Sequence, residues 1–138
     1  MLPAPKPSPT RNPVIPVKTP KAKSTFTLHN PRRLAVTVLE PEKQFDQGKR
    51  CDYVFQIQAH PLELYVELKG SDLSEALKQL ASTLRLMASS LQPKLCVVVL
   101  WQGAPPKANT QRQIQKVAFE RKHKCKLEWQ TQHGSWRL

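Results

Sequence analysis

The sequence predicts an α/β fold, a single mixed β-sheet flanked by helices, and three stretches carry that expectation. Leu73, Ala76, Leu77, Leu80, Leu84, Met87 and Leu91 recur at steps of three and four, which lays one continuous apolar face along a helix. Residues 95–101 (LCVVVLW) are apolar on both faces, the pattern of a central strand covered on both sides. Residues 64–69 (LYVELK) alternate, directing Leu64, Val66 and Leu68 to a core and Tyr65, Glu67 and Lys69 to the opposite face.

The remaining elements follow in chain order. Residues 1–22 hold the prolines 3, 5, 7, 9, 13, 16 and 20, interleaved with Lys6, Arg11, Lys18 and Lys21. Proline at this density blocks helix and central strand alike, so an extended, basic, Pro-rich N-terminal arm is expected, ahead of a domain at 23–138. Such an arm either lies along a phosphate backbone or is a plain tail. Residues 24–28 and 33–39 read as strands separated by Asn30-Pro31, and Gln47-Gly48 marks a turn. Residues 51–58 (CDYVFQIQ) are a strand closed by His60-Pro61, and Gly70 ends the next. Ser71 or Asp72 caps the helix, with Glu75 as a capping-box partner of Asp72, and Pro93 stops it. A loop is expected over 103–106. Asn109 or Thr110 then caps a second helix to about Lys122, with Ile114, Val117, Ala118 and Arg121 on its inner side, and residues 126–132 form a last strand.

A chain of 138 residues supports one modest core. No apolar run approaches the ~18 residues of a membrane span, so no membrane partner is expected. The N-terminus lacks the apolar centre of a secretory signal, which predicts a cytoplasmic protein. Cys51, Cys96 and Cys125 are an odd number without close spacing, and read as reduced, buried thiols. His123, Cys125 and His133 lack the second close pair that zinc requires. The net charge of +12 points to a polyanion, nucleic acid being the commonest, against the plainer reading of a solvated surface. The charge is uneven. Residues 1–33 contain seven Lys or Arg and no acid, residues 111–138 contain seven against Glu120 and Glu128, and the acids gather between. Arg112, Lys116, Lys122 and Lys124 are the expected backbone-binding cations. Trp129 and Trp136, near Arg137, are candidates to stack on bases, although core packing is the plainer role for Trp129.

If the strands at 51–58 and 64–69 form a hairpin, the start of one lies beside the end of the other. Asp52 then meets Glu67 and Lys69. Two carboxylates suit Mg²⁺ or Mn²⁺, which take a few carboxylate oxygens, several waters and phosphate. A metal so held activates water and neutralises charge on a phosphodiester, while Lys69 orients the water or stabilises the developing oxyanion. General acid–base catalysis alone supplies about 10²–10⁴-fold, far short of what phosphate-ester hydrolysis needs. The competing reading is a structural salt bridge between Lys69 and Glu67 or Asp52.

Asp52, fourteen intervening residues, and Glu67-Leu68-Lys69-Gly70 at the end of a strand before a helix resemble the PD-(D/E)XK nuclease superfamily. The resemblance covers about residues 34–101. It implies a restriction-endonuclease-like core and Mg²⁺- or Mn²⁺-dependent hydrolysis of DNA, less often RNA. Cys51 stands where the motif has proline. The additional Glu that many members carry on a preceding helix is assigned to Glu40, over Glu42 and Asp46, as a third metal ligand. Gln79 resembles a glutamine that exonuclease-like branches use near the metal, although their tyrosine four residues on is Thr83 here. The expectation is a DNA endonuclease with Asp52, Glu67, Lys69 and Gln79 as catalytic residues, working as a homodimer where both strands are cut together. The alternatives are a silent nucleic-acid-binding module on the same fold and a protein-interaction factor.

Overall fold

Two sheets, not one, organise the chain. The computed structural model describes residues 5–102 and 110–138. Within them lie β1 (Val14–Val17), β2 (Thr25–His29), β3 (Val36–Leu39), α1 (Pro41–Gln44), β4 (Tyr53–Ile57), β5 (Leu62–Lys69), α2 (Leu73–Leu86), β6 (Lys94–Leu100), α3 (Thr110–His123), β7 (Lys126–Thr131) and β8 (His133–Arg137). A five-stranded sheet runs β3-β4-β5-β6-β7 and a three-stranded sheet runs β1-β2-β8. The coarse α/β class stands; the single sheet is corrected to two. The loop expected at 103–106 and the Asn109 cap lie outside the described residues.

Short connections make β3, β4 and β5 an antiparallel meander, with Tyr53 opposite Val66 and Ile57 opposite Leu62. α2 and α3 then return the chain so that β5, β6 and β7 are parallel, as crossover connections require. β5 and β6 are covered on both faces. Tyr65, Cys96, Val98 and Leu100 pack under Leu73, Ala76, Leu77, Leu80 and Leu84 of α2. Leu64, Val66, Leu68, Val97 and Val99 pack against Ile15, Phe26 and Leu28 of the smaller sheet. The face of β5 reserved for Tyr65, Glu67 and Lys69 is therefore a second buried face, beneath helices. At Gly134 a Cβ would stand 2.6 Å from Val99 Cγ2 and 3.4 Å from Phe26 Cδ1, so glycine permits the two sheets to close there.

The segment expected as a free arm is tied to this body. Thr10 and Val36 exchange backbone hydrogen bonds of 2.8 and 2.9 Å. Ile15 and Val17 turn into the core while Val14 and Pro16 face out. β1 lies at the sheet edge, where a proline removes no ladder bond.

α2 starts as expected, with Asp72 accepting the Glu75 N–H at 2.9 Å. It ends sooner. Met87 N–H reaches back to the Thr83 carbonyl, and Leu91, assigned to the buried stripe, is 96% exposed. α3 is rotated relative to expectation: Ile114, Val117, Ala118 and Arg121 are exposed, and Phe119 is the buried residue. α2 already covers β5 and β6, so α3 packs on the edge strand β7 and needs little apolar surface. Among the described residues no helix is long and apolar enough to cross a membrane.

Candidate active site

The β4–β5 ladder closes at Tyr53 and Val66, and beyond it side chains take over from backbone. Asp52 N–H donates to Glu67 Oε1 at 3.0 Å, and Leu68 N–H donates to Asp52 Oδ2 at 2.9 Å. Lys69 Nζ lies 3.4 Å from Glu67 Oε2. The hairpin geometry thus brings Asp52, Glu67 and Lys69 into one group at the C-terminal end of β5, where α2 begins.

This group is electrostatically tense. Glu67 is 1% exposed, and burial together with the adjacent Asp52 charge pushes its pKa up to about 9, against the opposing pull of Lys69. Burial also raises Asp52, partly offset by the Leu68 N–H, by Glu67 and by Lys69. Two carboxyls this close share a proton more readily than they both ionise.

The shell around them explains the departure at Cys51. Its N–H donates to Thr83 Oγ1 at 2.8 Å, and Thr83 Oγ1 donates to the Gln79 carbonyl at 2.9 Å. A proline at position 51 would lack that donor. Thr83 is fully buried and fastens α2 to the start of β4, a role that residue spacing does not signal. Burial pushes the Cys51 thiol far above its ordinary range, so it is not a nucleophile.

Two of the expected site residues fall short of the trio. Gln79 donates to the Arg50 carbonyl at 3.4 Å, and its buried Oε1 has no partner. It lies beside the strand leading to Asp52 but makes no hydrogen bond to Asp52, Glu67 or Lys69. Glu40 is exposed and pairs with Lys43 at 3.0 Å, because α1 turns the chain immediately after β3. Glu42 is the acid whose charge raises Asp52, so Glu40 is corrected as the third acid facing the pair.

Asp52 and Glu67 offer hard oxygen donors, and Glu67 would have to release its proton to bind a cation. Among the described residues no group of three or more His, Cys, Asp and Glu is placed to hold a metal. The pair still fits Mg²⁺, which commonly takes one or two carboxylates and completes its shell with water and phosphate.

The four expected backbone-binding cations do not form one patch. α3 runs from the end of β6 back to the start of β7, so Arg112 lies towards the carboxylate end of the sheet and Lys116 midway along the helix. Lys122 lies about 15 Å of helix beyond Arg112, with Lys124 just past the helix end, at the opposite end of the sheet. There they line a groove of about 440 Å³ with Arg85, Lys94 and His123. α2 and α3 both terminate in it, so these cations face helix C-terminal carbonyls. The carboxylate end instead carries Lys18, Lys21 and Lys23, all exposed, on the β1–β2 connection. Tyr53 OH, next in sequence to Asp52, donates to the Lys18 carbonyl at 2.7 Å. Lys18 and Lys21 belong to the segment expected as an arm, and the fold sets them beside Lys23 at this end of the sheet. Of the tryptophans singled out, Trp129 packs against the helix-side core and Trp136 between the sheets.

Comparison of the chain with protein-family models, with curated proteins and with solved structures returned no match.

Proposed function

We propose that the chain is a metal-dependent nuclease acting on nucleic-acid phosphodiesters, with Asp52 and Glu67 as the metal-holding carboxylates and Lys69 beside the attacking water. One observation carries this reading: Asp52 and Glu67 are held together by hydrogen bonds in a poorly hydrated corner, where burial and the neighbouring acid push the Glu67 pKa up to about 9. Two acids side by side do nothing for stability in such a place, and strongly perturbed carboxyls of this kind cluster at functional sites. A bound divalent cation would relieve the conflict and supply charge neutralisation at the phosphate. Asp52 is the more accessible of the two acids and would meet the ion first. Glu67, backed by Lys69, fixes the geometry from below. The meander β3-β4-β5 followed by α2 and β6, with Asp52 preceding β4 and Glu67-Leu68-Lys69 ending β5, supports the same reading.

A second reading has its own observation. Each carboxylate accepts a backbone N–H, as the end of the ladder requires, and Glu67 is almost wholly covered. The pair would then be structural, in a nucleic-acid-binding module without catalysis. Supercoiled plasmid incubated with Mg²⁺, Mn²⁺ or EDTA separates the two. Metal-dependent nicking that disappears in Asp52→Ala is expected. Binding by gel shift with intact plasmid under both metals would leave the module.

A further inference from the structure

The outer side of the carboxylate end holds an aromatic feature that the catalytic reading does not use. Trp101 N–H donates to the Lys69 carbonyl at 2.9 Å and Gln102 N–H to the Gly70 carbonyl at 2.8 Å. Trp101 is therefore the next-strand neighbour of Lys69-Gly70, and alternation puts its side chain on the face away from the helices. The chain returns to it at Gln132, whose N–H donates to the Leu100 carbonyl at 2.8 Å and whose φ of 60° turns β7 into β8. That turn sets the His133 ring edge-on to Trp101, with centroids 5.9 Å apart and planes at 78°. Thr25 fixes the histidine twice: its Oγ1 lies 2.8 Å from His133 Nδ1, and its N–H donates to the Gln132 carbonyl at 2.9 Å.

Gly70 continues the β5 register opposite Trp101 on the same face, and among the described residues a Cβ placed there would meet nothing within 4 Å. Its φ is not in the left-handed region, so the backbone does not demand glycine. Lys18, Lys21 and Lys23 flank the same end and have no ion-pair partner among the described residues. A half-buried aromatic ring braced by an exposed histidine, an open floor beside it among the described residues and nearby unpaired cations are the parts of a stacking platform for a nucleic-acid base.

We propose that Trp101 and His133 form a shelf on which one unpaired base of the substrate stacks, so that the chain acts on single-stranded or locally unpaired nucleic acid. This rests on the nuclease reading for its chemistry but not for its binding. A base inside a duplex offers no free face, and only an unstacked one reaches the shelf. The backbone on either side of that base passes over Gly70 towards Lys69 and along the β1–β2 lysines.

Fluorescence anisotropy in EDTA, where no cleavage occurs, measures the shelf alone. A short labelled oligothymidylate should bind on the order of tenfold tighter than an abasic oligomer of the same length and than a duplex of the same length. Trp101→Ala should erase the preference over the abasic oligomer, and Trp101→Phe should keep most of it. Gly70→Val, placed in open space, should weaken base-dependent binding without altering thermal stability. Equal affinity for thymidylate and abasic strands, or for single strand and duplex, overturns the proposal, as does a Gly70→Val protein that binds like wild type. The plasmid assay is independent: base-dependent binding without metal-dependent cutting would retain the shelf and remove the nuclease.

Discussion

Two glutamates on the same face of β5, four residues apart and each 1% exposed, behave in opposite ways. Burial by itself would raise both. At Glu63 that cost is overcome by hydrogen bonds from Lys94 Nζ at 2.7 Å and Gln56 Nε2 at 2.8 Å, which hold it below the usual carboxylate range. Tyr65 OH adds a third donor at 3.0 Å, and Lys94 is satisfied in turn by the Ser90 and Gln92 carbonyls. At Glu67 the cation is further away, at 3.4 Å, and a second acid sits alongside. Solvent exposure is the same, but Glu67 lies deeper among protein atoms, so depth and partners together separate the two. One end of the strand carries a completed polar network, while at the other a neighbouring acid and a more distant cation leave Glu67 holding its proton.

Removing one carboxylate at each end tests that contrast. Glu63→Gln strands the Lys94 ammonium in the core and should cost about 3–5 kcal/mol in denaturant unfolding. Glu67→Gln mimics the protonated form that Glu67 already holds below about pH 9 and should be neutral or mildly stabilising. Equal losses at the two positions would erase the distinction. The pH dependence sharpens it. Folded Glu67 keeps its proton until about pH 9, whereas the unfolded chain releases it near 4.5. The folded state binds more protons across that window, so stability from this group is greatest below about 4.5 and declines as pH rises towards about 9. Thermal melts in EDTA over that range should show a fall that Glu67→Gln flattens. The smallest expected effect lies at the far groove. Lys122→Gln with Lys124→Gln should leave the salt dependence of nucleic-acid binding unchanged. Lys21→Gln with Lys23→Gln should instead reduce the log–log slope by about 0.7–0.9 for each phosphate no longer neutralised.

Much of this was readable from residue order because it depends on local spacing. Alternation in residues 64–69 and the hairpin after 51–58 were enough to bring Asp52 to Glu67 and Lys69. The three- and four-residue spacing after Asp72 located α2, and the apolar run located β6. What failed depended on distant partners. β8 (HGSWR) has almost no apolar alternation and exists because β2, more than a hundred residues earlier, offers it an edge. β1 was hidden by Pro16, which an edge strand tolerates. Ile114, Val117 and Ala118 pointed inward on periodicity alone, yet the surface they would have covered was already taken by α2. Nor does anything in ELYVELK distinguish Glu63 from Glu67: both follow the same alternation, and partners from neighbouring strands separate them, Gln56 and Lys94 at Glu63 and Asp52 at Glu67.

The parallel pairing of β2 with β8 also bears on how the molecule is made. Thr25 meets His133 and His29 meets Arg137, so this pairing closes a loop that contains the whole five-stranded sheet. Pairings of such sequence separation form slowly, since the chain between them must be ordered first. During synthesis β2 has only the short β1 beside it until residues 133–137 leave the ribosome. Phe26 and Leu28 can then pack on the earlier strands β4 to β6, but the edge of β2 that β8 will take is still open. Residues 133–137 therefore complete the sheet that β1 and β2 begin, and the Trp101–His133 contact forms only once that late pairing is made.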